Sequence, residues 1–189
     1  MKYSTSPKRV ITDQDLKAVE TADPIGGMVA NLKKDIPSFD ITPEMVDGKY
    51  QRHTFLPLIF VISRQKSAKD WFTGTVLSST NVGPEHQLEL HHIFPKAVLN
   101  ENNDFKPHEI DDLANISFLS QKANRSILKS KPEEYLQKID EQRLNAQYVP
   151  LERDLWRVDR FRDFLKERRR LLTEAINTYM KETGTRFFP

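Results

Sequence analysis

The 189-residue chain predicts an α+β fold, predominantly helical, in which one short strand–strand–helix unit sits among flanking helices. Three observations carry that expectation. Apolar residues of the C-terminal third recur at three- and four-residue steps, the period of an amphipathic helix. Two short stretches, about Gln87 to Ile93 and about Ala114 to Leu119, have strand character and are joined by a polar connection with Asn100, Asn102, Asn103 and Pro107. Helix-start phrases precede and follow this pair.

Taken in order, Thr12 with Asp13 and Asp15 behind it forms a cap with an acidic first turn, predicting a short helix toward Thr21. A second helix is expected from about Ile25 to Lys34, weakened by Gly26 and Gly27. Thr42 and Pro43 read as cap and first position of another, and Leu56 to Arg64 is apolar enough for a buried helix. After Trp71 the texture loosens, with Gly74, Ser78 to Thr80, Asn81, Gly83 and Pro84 forming a loop-rich approach to the first strand. Behind the second strand, Ser120 caps a helix that begins Gln121-Lys122-Ala123-Asn124-Arg125. Further helices start at Pro132 and near Gln142, and Phe161, Phe164, Leu165, Leu171, Leu172, Ile176 and Tyr179 mark the longest. The expected division is an N-terminal helical part (1–85), the strand–strand–helix unit (86–131) and a C-terminal helical extension (132–189), packed as one domain.

Composition excludes several classes of function. The longest apolar stretch, Phe55 to Ile62, contains Pro57 and is too short for a bilayer, so no membrane segment is expected. The basic N-terminal residues are not followed by an apolar segment of the secretory kind. With no cysteine, disulfides and thiolate zinc sites are excluded, which is compatible with a cytoplasmic location. The remaining metal-capable groups are five histidines, the carboxylates and the amides, which suit magnesium, manganese or a His-bound zinc-like ion. No glycine-rich phosphate loop is present, which disfavours nucleotide hydrolysis.

Net charge is only +2, but its distribution is uneven. Gln121 to Lys131 holds four basic residues, Lys122, Arg125, Lys129 and Lys131, and no acidic one, which would draw a polyanion. Arg157 to Arg170 holds seven basic and three acidic residues; their helical spacing lets them pair, so a solvated face is expected there first and DNA binding second. Trp71, Trp156, Phe161 and Phe164 are read as core. His53, His86 and His108 have no evident partner and are read as exposed.

Three phrases carry chemistry: His91-His92-Ile93-Phe94-Pro95-Lys96, Asp112-Leu113-Ala114-Asn115-Ile116 and Ser120-Gln121-Lys122-Ala123-Asn124-Arg125-Ser126. Hydrolysis of a phosphodiester needs a base for water, a cation against the developing charge, and a scaffold holding both in line. A neutral imidazole is a base of suitable strength near neutral pH. A second imidazole and an amide oxygen can hold one divalent ion while leaving positions open. Taken alone, His-His on a strand is more often structural, and Asn115 and Asn124 are ordinary polar residues; their order along the chain is what raises the signal.

From Glu89 to Leu136 these phrases resemble the HNH, or ββα-metal, nucleases. They are most similar to the C-terminal HNH domain of GmrSD-type modification-dependent restriction enzymes and related phage-defence proteins. "DLWRVDRFRDFLKERR" also looks like that family's C-terminal extension. The resemblance implies a ββα-metal motif embedded among the helices and a DNA endonuclease whose elementary activity is nicking. Residue by residue it implies His92 as general base, His91 and Asn124 as ligands of one divalent ion, and Asn115 as the pin of the connecting loop. Lys122, Arg125, Lys129 and Lys131 would contact nucleic acid. Magnesium or manganese is expected first, with nickel or zinc as alternatives, because His91 stands where many such nucleases have aspartate. The implied partners are DNA and a nucleotide-dependent sensor domain or subunit outside this chain.

One geometric tension follows, because neighbours on a regular strand face opposite sides. His91 and His92 reach one site only where the strand ends, and Pro95 makes an ending there reasonable. The rival readings are a non-catalytic DNA-binding module of the same fold, a nuclease acting on RNA, and a structural adaptor with His91, His92 and Asn124 scattered in space.

Overall fold

The computed structural model describes residues 7–35, 40–78, 87–101, 104–127 and 130–187, and expectations for Asn81, Gly83, Pro84, His86 and Lys129 lie outside them. The chain divides into two compact units, 1–40 and 41–189. In the first, α1 (Pro7–Val19) and α2 (Pro24–Asp35) pack as a hairpin. Asp23 caps α2 by accepting from the Gly26 N–H at 3.0 Å, and Pro24 takes the first helical position. Of the two glycines expected to weaken this helix, Gly27 has a packing role: a Cβ there would stand 2.9 Å from that of Ala18, so its absence lets the helices approach.

The second unit is mostly helical, with one antiparallel pair of strands. Its elements are α3 (Pro43–Val46), α4 (Leu56–Gln65), β1 (Leu88–His92), α5 (Lys96–Glu101), α6 (Pro107–Ile110), β2 (Ile116–Ser120), α7 (Gln121–Ile127), α8 (Pro132–Tyr135), α9 (Glu141–Ala146) and α10 (Phe161–Phe187). Three helices, α3, α6 and α8, begin on a proline, which fits the first turn because its missing N–H has no partner to lose. The connection between the strands, expected as polar, contains α5 and α6. The second strand starts at Ile116 rather than Ala114, because Asp112 accepts from the Ala114 N–H and winds Leu113–Asn115 into a 3-10 turn.

The register pairs Leu88 with Ser120, Leu90 with Phe118, His91 with Ser117 and His92 with Ile116. Alternation then sends the strands' two faces into two cores. Leu119 belongs to one cluster, with Trp71, Phe94, Tyr135, Trp156, Phe161 and Phe164. Phe118 belongs to the other, with Ile59, Ile62, Leu113, Leu172 and Ile176. Helix α10 serves both, its first turns facing one cluster and its later turns the other.

The outer edge of β2 is covered by side chains. Gln147 accepts from the Phe118 N–H at 2.8 Å and donates to the Phe118 carbonyl at 2.9 Å, while Asp70 accepts from the Ser120 N–H at 2.7 Å. The basic run from Arg157 to Arg170 corrects the expectation of a wholly solvated face. Arg157, Arg160 and Arg170 pair with neighbouring carboxylates on the surface, but Arg168 is buried and donates to the carbonyls of Ala114 and Gln147. Its position in the repeat Phe161, Phe164, Leu165, Arg168, Leu172, Ile176 places it in the buried stripe. Arg169 also leaves the local pattern and binds buried Asp112 at 2.7 Å. Among the described residues, no helix is long and apolar enough to cross a membrane.

Candidate active site

Strand β1 stops at His92, and the chain turns through Ile93 and Phe94 to Pro95 and α5. Asn115 holds that turn. Its side-chain oxygen accepts from the Phe94 N–H at 2.8 Å, and its NH2 donates to the carbonyls of Phe94 at 3.1 Å and Ile110 at 2.9 Å. The Ile93 N–H donates to the backbone carbonyl of Asn115 at 2.8 Å. Asn115 is wholly buried, so its contact with any substrate would be through what it positions.

His91 and His92 point to opposite faces of β1, as alternation requires. Both nevertheless border one open cleft of ≈ 230 Å³ at the strand's end, together with Pro95, Lys96, Asn124 and Arg125. On the first face His91 is 5% exposed and lies among the rings of Trp71 and Tyr135, with centroids at 6.2 and 6.4 Å. Its Nδ1 is 2.7 Å from the Asn124 Oδ1 on α7. An amide oxygen only accepts, so Nδ1 carries the hydrogen. Nε2 is then an unprotonated nitrogen, buried and without a partner. Burial pulls the His91 pKa down to about 4 against the opposing hydrogen bond to Asn124, so the ring is neutral at ordinary pH.

On the second face the His92 Nε2 is 3.2 Å from the Asp111 Oδ1, and the Tyr50 ring meets the imidazole edge-on at 5.4 Å. Lys96 Nζ is 2.6 Å from the same carboxylate oxygen. A carboxylate only accepts, so Nε2–H is the donor and Nδ1 is left as the basic nitrogen of a neutral ring. The His92 pKa is lowered, first by burial and then by the charge of Lys96, with Asp111 opposing. For Asp111, burial works toward a higher pKa, but the hydrogen bonds from Lys96 and His92 outweigh it and keep the group ionised.

A divalent ion of the kind the resemblance implies would find its donors together. His91 is neutral and Asn124 presents oxygen, and their atoms are close enough that one ion with bonds of about 2.1 Å would reach both. Binding there would require Nδ1 to give up its hydrogen, leaving the ring's one N–H on the unpartnered Nε2. Among the described residues no cluster of three or more His, Asp or Glu side chains is placed to hold a metal, so the donor set rests on one imidazole and one amide.

The basic residues divide. Arg125 is exposed and lines the cleft, and Lys122 is exposed on the same helix. Lys131 immediately precedes α8 and borders a separate hollow with Glu133 and Arg157, so it is not brought to the cleft. His108 is exposed, whereas His53, also expected to be exposed, is half-buried against Phe55 and accepts from its N–H at 3.3 Å.

Sequence reasoning assigns no role to Glu89, Lys96 or Asp111. Glu89 was within reach, because alternation puts it on the face of His91, where its Oε2 accepts from the Asn124 NH2 at 2.8 Å. Asp111 had no local signal, lying 19 residues from His92.

Comparison of the chain with protein-family models, with curated proteins and with solved structures finds no match.

Proposed function

We propose that this chain is a metal-dependent DNA endonuclease of the HNH kind, in which β1, β2 and α7 form the ββα-metal motif. The observation that carries the reading is the 2.7 Å pairing of His91 Nδ1 with Asn124 Oδ1 beside a cleft that His92 also borders. A neutral base and a neutral two-donor ligand set then stand at one strand end, as hydrolysis of a phosphodiester requires.

In this mechanism His92, held through Nε2–H by Asp111, takes the proton of the attacking water with Nδ1 as the water oxygen bonds to phosphorus. His91 and Asn124 would hold a divalent ion, magnesium or manganese, which when bound would supply positive charge to the leaving 3′-oxygen. Arg125 at the cleft wall binds the phosphate, and Lys122 on the same helix extends that basic surface along the backbone. Asn115 fixes the turn that follows His92. One such site cuts one strand, so nicking is the elementary activity. From the resemblance we further infer that target choice resides in a nucleotide-dependent sensor domain or subunit in a phage-defence system.

The test is relaxation of supercoiled plasmid with manganese or magnesium, set beside digestion of RNA and a gel-shift assay. The wild-type chain is expected to nick the plasmid, and His92→Ala to lose at least a hundredfold in rate while still shifting DNA. Wild-type nicking by His92→Ala would overturn the mechanism. Shifting without cutting by the native chain would favour a DNA-binding module, and cutting confined to RNA would move the substrate.

A further inference from the structure

We propose that Glu89 is the anionic member of the metal centre, acting through Asn124 rather than by touching the ion. This rests on the reading of His91 and Asn124 as ligands. Both are neutral, so a divalent ion between them carries two positive charges into a cleft walled by Lys96 and Arg125. A counter-charge nearby would stabilise the ion before any phosphate arrives. Asp111 already serves Lys96 and His92 on the other face of the strand. Glu89 stands two residues before His91 on the same face, with its Oε2 2.8 Å from the Asn124 Nδ2.

The same contact fixes which end of the amide faces His91. An amide can turn over and exchange its oxygen and NH2, and a turned Asn124 would aim two hydrogens at a cation. Only one orientation satisfies the carboxylate, which accepts and cannot donate, and that orientation leaves Oδ1 toward His91 at 2.7 Å. Glu89 thus supplies charge and orientation together, a task usual for groups just outside a metal's ligands.

The two contributions separate by substitution. Glu89→Gln keeps an acceptor for the Asn124 NH2 and removes the charge, while Glu89→Ala removes both. Mn2+ binding to the full chain, read by electron paramagnetic resonance, is expected to weaken about tenfold in Glu89→Gln. In Glu89→Ala it should fall further, to the level of Asn124→Ala. Without metal, the Asn124 side-chain amide protons should move upfield in the NMR spectrum of Glu89→Ala. Wild-type Mn2+ affinity in Glu89→Gln would overturn the proposal and leave the ligand assignment standing. Absence of Mn2+ binding by the native chain would instead overturn that assignment, and this inference with it.

Discussion

At Asn115 one amide satisfies three backbone groups that the turn after β1 would otherwise bury unpaired. Asn115→Ala is therefore expected to cost about 2–4 kcal/mol in chemical denaturation, since orphaned buried donors and acceptors lose their full solvation. Asn115→Asp should do no better, because a carboxylate accepts from Phe94 but faces two carbonyls to which it cannot donate; native stability in either variant would contradict this account. His91 makes a separate prediction in pH. The unfolded chain binds a proton at position 91 below about 6.5, the folded chain only near 4, so stability held by the neutral ring is complete above 6.5 and lost as pH falls toward 4. The loss is roughly 3 kcal/mol in metal-free protein, and His91→Asn should flatten it in denaturation curves taken across that window. Equal pH dependence in both proteins would show that the ring's burial is not what sets it. In the proposed mechanism Asp111 acts through His92, whose Nε2 it holds at 3.2 Å. Asp111→Asn, which keeps an acceptor, should retain more nicking than Asp111→Ala, with the imidazole 15N shifts reporting whether Nδ1 remains the unprotonated nitrogen.

The elements differ in how far local sequence specifies them. Helix α10 is legible because its apolar residues repeat at helical spacing, and β1 and β2 because short apolar alternation is bounded by turn residues. Alternation also separates His91 from His92, and Pro95 ends the strand where both can border the cleft. What no local pattern carries is the covering of the β2 edge, which comes from Gln147, 29 residues from Phe118, and Asp70, 50 residues from Ser120. The same distance effect hid Arg168: charge argues for the surface, and only two carbonyls brought in by the fold make its burial tenable. Gln147→Ala should expose this dependence. Both the N–H and the carbonyl of Phe118 lose their partner inside the structure, so a destabilisation of about 2 kcal/mol is expected, with Gln147→Glu failing to restore the bond to the carbonyl. Unchanged stability in Gln147→Ala would mean that water reaches this edge.

For the molecule as a whole, the sequence suggests one packed domain, and the structure holds two compact units, 1–40 and 41–189. Both hydrophobic clusters draw all their residues from position 41 onward, as do the cleft, the Asn115 turn and the Asp112–Arg169 pair. Helix α10 ties the two clusters together, so the second unit should unfold as one cooperative body. The protein's two tryptophans, Trp71 and Trp156, are both buried in the first-named cluster and report on that unit alone. A chain shortened to Ile41–Pro189 is therefore expected to show the same tryptophan-monitored denaturation midpoint as the full chain and, on the proposed function, the same Mn2+ affinity and nicking rate. A midpoint lowered by more than roughly 1 kcal/mol of stability would mean that residues 1–40 contribute to the core of the second unit. Loss of nicking with an unchanged midpoint and unchanged Mn2+ binding would place their contribution in DNA binding instead.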